Sequence, residues 1–214
     1  MTIVDQPSPM FGSFTLSSVC ATLGRLQVLT GVFRDLLTKS FSHADWIENP
    51  QLQQLLWRSN TSTRILVEAH YRWTPEQAKQ RCAVIIKRNA YAAEYKGLGG
   101  SMGQGGTVDE YGDPHYEIFW VGSHTLFCIG GTGAEAEILA TEVQRQLTQF
   151  APVIQRSLGL MRLRAAQLNE ISRLEEAPEN FLVPVTFSVA YAERWTIKQQ
   201  APRLRGISLT KLCE

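Results

Sequence analysis

The segment from Tyr116 to Trp195 constrains the fold more than any other part of the chain. Tyr116–Gly131 (YEIFWVGSHTLFCIGG) sets Tyr116, Ile118 and Trp120 against Glu117, Phe119 and Val121, the period of two expected of a strand. It runs straight into Gly133–Leu158, where Ala136, Leu139, Ala140, Val143, Leu147 and Phe150 recur at helical spacing. Glu135, Glu142, Gln146 and Gln149 are expected on the far side of that helix. Phe181–Tyr191 alternates again, with Phe181, Val183, Val185, Phe187, Val189 and Tyr191 on one face. None of these elements can bury its apolar side alone, so they must pack on one another. The fold class that follows is α+β: a mixed or antiparallel sheet with one long helix packed on it.

Three residues interrupt these patterns. Pro152 is expected to kink or end the long helix. The Gly122-Ser123-His124 break predicts a bulge or a switch of face. Pro184 has no N–H to give a ladder, so one side of its strand is expected to be open or bulged.

The rest of the chain supplies shorter elements. Thr22–Ser40 reads as a helix whose stripe is Leu26, Leu29, Phe33, Leu36 and Leu37. Asn49 and Pro50 have the chemistry of a cap and first turn, which predicts a second short helix within Ser42–Trp57. The turn-rich Asn60–Thr63 is the expected joint between an N-terminal arm and helical extension (1–60) and a core domain (61–200), followed by a tail (201–214). Within the core, Arg64–Tyr71 alternates, with Ile65, Val67, Ala69 and Tyr71 on one face. Thr74–Gln77 reads as a capped helix start. Cys82–Arg88 reads as a strand that Tyr91–Lys96 extends or pairs with. Met161–Leu168 and Ser172–Leu174 read as further strands, and Leu174–Asn180 as an acidic turn.

Composition narrows the function classes. An apolar share of 44% is ample for a core. With 21 basic and 20 acidic residues, the chain as a whole has no charge excess to drive nucleic-acid binding. A ring of many copies could still carry a strong local field. Cys20, Cys82, Cys128 and Cys213 are too far apart in sequence for a metal-type pair and read as free thiols in a reducing compartment. His43, His70, His115 and His124 form no ligand pattern. Met1–Met10 has neither the basic nor the apolar part of a signal peptide, so synthesis in the cytosol is expected. No apolar run approaches the roughly 18–20 residues that span a bilayer.

The segments that invite a chemical reading favour a structural one. Gly97–Thr107 holds six glycines but lacks the Lys-Ser/Thr of a phosphate loop, and it does not join a strand to a helix. It reads as a long loop that orders against a neighbour, with Gly99, Gly103 and Gly105 as interface candidates. Thr132 can cap the long helix, but Glu135 and Glu137 fill its first turn with negative charge that competes with any bound anion. Ser123 and His124 are adjacent strand residues and point to opposite faces, which is poor placement for a nucleophile and its base. No catalytic residue, metal site or cofactor is expected. Pro184, Trp195, Arg203 and Arg205 are the remaining interface candidates. Large aromatics such as Trp195 dominate binding hot spots.

Taken together, YEIFWVGSHTLFCIG, GAEAEILATEVQRQLTQFAPVI and VPVTFSVAYAERW resemble the tail terminator (tail-completion) proteins of long-tailed bacteriophages. The resemblance covers about two thirds of the chain, from Arg64 to Ile207, and is one of element pattern rather than catalytic fingerprint. It implies a non-enzymatic virion protein at the tail–neck junction, made in the host cytoplasm and assembled as a ring, usually a homohexamer. Its implied partners are the tail tube protein, the head connector or neck protein and, as a further candidate, the tail sheath. DNA would only pass through the lumen, and no membrane is involved. A lumen that lets DNA slide should not grip phosphates, which makes Glu170, Glu175, Glu176 and Glu179 lumen-facing candidates. Residues 1–60 are not a usual part of the smallest terminators, which leaves a neck, stopper or other head–tail connector as the alternative. A small α/β enzyme or ligand-binding module is the reading from a different class.

Overall fold

The computed structural model describes residues 25–43, 46–47, 49–56, 65–74, 82–94, 115–175 and 177–196. In chain order these form α1 (Arg25–Ser40), α2 (Pro50–Leu56), β1 (Leu66–Ala69), a 3-10 turn (His70–Arg72), β2 (Ala83–Glu94), β3 (His115–Gly130), α3 (Gly133–Leu158), β4 (Leu160–Leu168), β5 (Ser172–Leu174) and β6 (Ala177–Thr196). The strands make one mixed, mainly antiparallel sheet in the order β1-β2-β3-β6-β4, with β5 also paired to β6. The α+β class is as expected, and α3 is the long helix packed on the sheet.

The chain divides into two compact units, Met1–Ala92 with Val121–Tyr191, and Ala93–Trp120 with Ala192–Glu214. The joint expected at Asn60–Thr63 lies outside the described residues. The helix before it and the sheet after it share a single core. Leu29, Phe33 and Leu37 of α1, Val84 and Ile86 of β2, Leu139 and Val143 of α3 and Val185, Phe187 and Val189 of β6 belong to one buried cluster. The predicted stripe of α1 is therefore a core face, and α1 is no appendage. Asn49 caps α2 as expected: its Oδ1 accepts from the N–H of Gln51 at 2.9 Å and of Leu52 at 3.3 Å.

The long helix departs from expectation at Pro152. It runs on to Leu158 and ends at Gly159, whose left-handed backbone (φ 62°) suits a residue without Cβ. Pro152 is exposed, so the Thr148 carbonyl that loses its helical partner there faces water. At the other end, the Thr132 hydroxyl accepts from Glu135 N–H at 3.2 Å, and the Glu135 carboxylate accepts from the N–H of Thr132 and Gly131 at 3.2 and 3.0 Å. This is a complete capping box.

One strand expectation also changes, and one pair of alternatives is decided. Tyr71 is 77% exposed, not on the inner face with Ile65, Val67 and Ala69, because the chain leaves the strand into a 3-10 turn at His70. β2 is not two pieces: residues 91–94 extend it. The start of the helix predicted at Thr74–Gln77 lies largely outside the described residues. β3 runs unbroken from His115 to Gly130, and the reason for a glycine at 122 is spatial. A Cβ there would stand 2.5 Å from the Tyr91 ring, which lies over it. Gly122→Ala is expected to cost about 1–3 kcal/mol by forcing that ring aside. Urea unfolding would measure the cost, and an unchanged midpoint would show that Tyr91 moves freely.

Candidate functional site

The two faces of the sheet in the larger unit differ. One is covered by α1, α2 and α3. The other carries a small buried cluster of Ala83, Ile85, Ile129, Leu174 and Ala177, with Leu66, Trp73, Phe127 and Leu182 partly buried against it. A concavity of about 310 Å³ opens on this second face, floored by Ile85, Phe127 and Ile129 and walled by Trp73 and Leu182. Its polar rim is His70, Arg173 and Glu175. An apolar floor with a charged rim is the usual make-up of a recognition surface.

The β4–β5 margin is the second feature of this unit. β4 ends the strand order, and it is irregular: its register to β6 shifts between Leu160 and Arg162 and again between Ala165 and Gln167. Pro184 lies in β6 between the segment paired to β5 (Ser172↔Leu182) and the segment paired to β4 (Leu168↔Val185). Its carbonyl accepts from Asn169 N–H at 3.0 Å. The expected interruption is thus the point where β6 changes partners, and Asn169 in the β4–β5 connection closes part of it. Met161, Leu168 and Ile171 on this margin are large apolar residues left substantially exposed.

Of the predicted lumen-facing residues, Glu170 and Glu175 are exposed on the connections either side of β5, and Glu179 is exposed near the start of β6. Glu176 lies outside the described residues, as do the interface candidates Gly99, Gly103, Gly105, Arg203 and Arg205. Trp195 is in β6, and its side chain is also outside the description. In the smaller unit, Trp120 Nε1 donates to Glu193 at 2.9 Å, and Arg194 pairs with Glu117.

Sequence reasoning missed two polar clusters in the larger unit. The first is centred on His124, which is fully buried. Thr30 Oγ1 stands 3.1 Å from the Leu26 carbonyl and 3.1 Å from His124 Nε2, and Tyr91 Oη stands 3.0 Å from His124 Nδ1. A carbonyl only accepts, so the threonine hydrogen goes to Leu26 and Nε2 must carry its own hydrogen. Nδ1 is then bare, and Tyr91 donates to it. The chain Tyr91→His124→Thr30→Leu26 joins β2, β3 and α1 in one direction with every group satisfied. Burial, reinforced by the Arg88 cation, holds the imidazole neutral and lowers its pKa from 6.5 to about 4. Burial also pushes the Tyr91 phenol well above its usual range.

The second cluster corrects the expected outer face of the long helix. Glu142 and Gln146 are buried, because the loop after α1 folds over them. Gln146 Nε2 donates to Glu142 at 2.7 Å and to the Trp46 carbonyl at 3.3 Å, and Arg145 reaches the same carbonyl at 3.0 Å while pairing with Glu142 at 2.8 Å. No periodicity announces this, since it depends on where a loop lies.

The remaining chemical candidates resolve simply. Ser123 accepts from Asn89 at 2.9 Å on one face of β3, whereas His124 is enclosed on the other. At the start of α3 the Glu135 carboxylate accepts from the N–H of Gly131 and Thr132, and its negative charge stands where an anion would have to bind. Cys128 is buried and Cys82 half-buried, both as free thiols. Burial, with the Glu135 charge adding to it, pushes the Cys82 pKa up to about 11. Among the described residues no three His, Cys, Asp or Glu come together as a metal site requires, and no helix is long and apolar enough to cross a membrane. No protein-family model and no curated protein sequence matches the chain.

Proposed function

We propose that this chain is a structural virion protein of the tail terminator type, which forms a ring at the head-proximal end of a phage tail tube. The observation that carries the reading is the second face of the sheet. Trp73, Phe127 and Leu182, partly buried over the closed cluster of Ile85 and Ile129, line an open concavity opposite a face covered by helices. A head-to-tail contact, the kind that closes into rings, joins two different surfaces of neighbouring copies, and the two faces of this sheet differ as such contacts require. The element pattern that resembles tail terminators falls on the α+β framework of β3, α3 and β6. In this role the ring stops tube growth, meets the head connector on its other side and lets DNA pass.

Light scattering of the purified protein, alone and with tube protein, tests the reading. The expected result is a mass several times the 24.0 kDa of one chain, or capture by tube ends. A stable monomer that ignores tubes would refute it. Disrupting the gene in the phage should give overlong or irregular tails; normal-length tails detached from heads would instead mark a neck or stopper protein.

A further inference from the structure

The charges on the β4–β5 margin are segregated. β4 contains Arg162 and Arg164 and no acidic residue. Arg164 is exposed, and the Nε of Arg162 is shut away from water without a hydrogen-bond partner. Glu170 and Glu175 bracket β5, and Glu179 lies on the stretch of β6 beside it. All three are exposed. Arg173 stands among them with its guanidinium 5.7 Å from the centre of the Phe181 ring. None of Arg162, Arg164, Glu170, Glu175 and Glu179 forms an ion pair among the described residues. One margin of a single sheet therefore carries unpaired arginines on its β4 stretch and unpaired glutamates around β5.

We propose that the acidic turns of one copy dock on the β4 margin of the next copy, with Glu170, Glu175 and Glu179 facing Arg162 and Arg164. This rests on the ring reading above and names the contact that builds the ring. Two features favour docking through side chains over a continuous strand ladder between copies. The register shifts at Leu160/Arg162 and Ala165/Gln167 break the regular row of backbone groups that a ladder needs. Glu170 and Glu175 also sit on connections, which can reach a neighbour. A carboxylate from the neighbour would pair with the exposed Arg164 guanidinium through a charge-assisted bond. Exposed Met161 and Leu168 on the same margin supply apolar area to the contact. Glutamates held in such a joint are withdrawn from the channel wall.

A charge-exchange experiment on the full chain tests the contact. One variant carries Arg164→Glu, a second carries Arg162→Glu with Arg164→Glu, and a third carries Glu170→Lys, Glu175→Lys and Glu179→Lys. Each alone is expected to weaken assembly at least tenfold in light scattering at physiological salt. The second and third mixed in equal amounts should regain the wild-type mass, because each supplies the sign that the other lacks. Arg162 is half-buried, so the Arg164→Glu variant, mixed with the third in the same way, keeps the test free of any loss of folding: Arg164 and the glutamates are exposed. Wild-type-sized rings from every variant would overturn this contact and leave the ring reading standing. A wild-type protein that is monomeric at all concentrations would overturn both, and assembly that stops at two copies would overturn the head-to-tail arrangement.

Discussion

Phe33→Ala is expected to lower the unfolding free energy by about 4 kcal/mol, in the range for emptying an aromatic from a closed core. Phe33 is 0% exposed and stands at the meeting point of α1 and the sheet. Its ring lies 5.6 Å from that of His124, edge-on, and 6.0 Å from that of Phe187. Removing it takes away contact area on two strands and opens a void beside a buried polar chain that water could then enter. The urea midpoint measures the effect, with Phe33→Leu as the control expected to keep most of the stability. The prediction also discriminates between two views of the N-terminal helix. If α1 were an extension hung on a finished domain, the loss would stay under about 1 kcal/mol and would appear as an early, separate transition.

Acid is expected to weaken the fold through His124. The folded-state pKa of about 4 lies below the usual 6.5, so the unfolded chain binds the proton more readily than the folded one. Stability from this group is complete above about pH 6.5 and is lost as the pH falls toward 4. The whole shift corresponds to roughly 3 kcal/mol, of which about 2 kcal/mol is gone by pH 5. The structural reason is that protonation at Nδ1 turns an acceptor into a donor facing the Tyr91 hydroxyl, and adds a buried cation beside Arg88. Stability curves at pH 7.5 and pH 5 for the wild type and His124→Gln measure the term. The variant is expected to start lower and to fall less on acidification; parallel curves would remove His124 as the cause.

These two predictions concern residues that the sequence exposed to different degrees. Phe33 was legible, because three- and four-residue spacing in Thr22–Ser40 marks one stripe and a stripe must be buried against something. The same reasoning found the cap at Asn49, the cap at Thr132 and the inner face of β6 from Val183 to Val189. His124 was visible only as a strand residue that could not serve Ser123. Its partners, Thr30 and Tyr91, lie 94 and 33 residues away, and no local pattern encodes a contact over that separation. Glu142 and Gln146 looked solvent-facing by periodicity and became buried because an irregular loop covers them. Tyr71 fitted its strand's alternation until the chain turned one residue earlier. The candidate surfaces were legible in part: the acidic turns are exposed and unpaired, whereas the apolar concavity draws its floor from β2 and β3 and its walls from residues after β1 and in β6.

β6 has 20 residues and is the last described element, yet the sheet places it between β3 and β4. During synthesis, β1, β2, β3 and α3 leave the ribosome while the inner edge of β3 still lacks its neighbour. Val183, Val185, Phe187 and Val189, which fill the middle of the core, arrive only after the other described core elements have been made. The core therefore cannot close as the chain emerges; it closes in one late step, when a strand of roughly 66 Å slots into the gap. Until then the molecule carries a bare apolar strand edge, the state in which nascent chains are captured by chaperones or by one another.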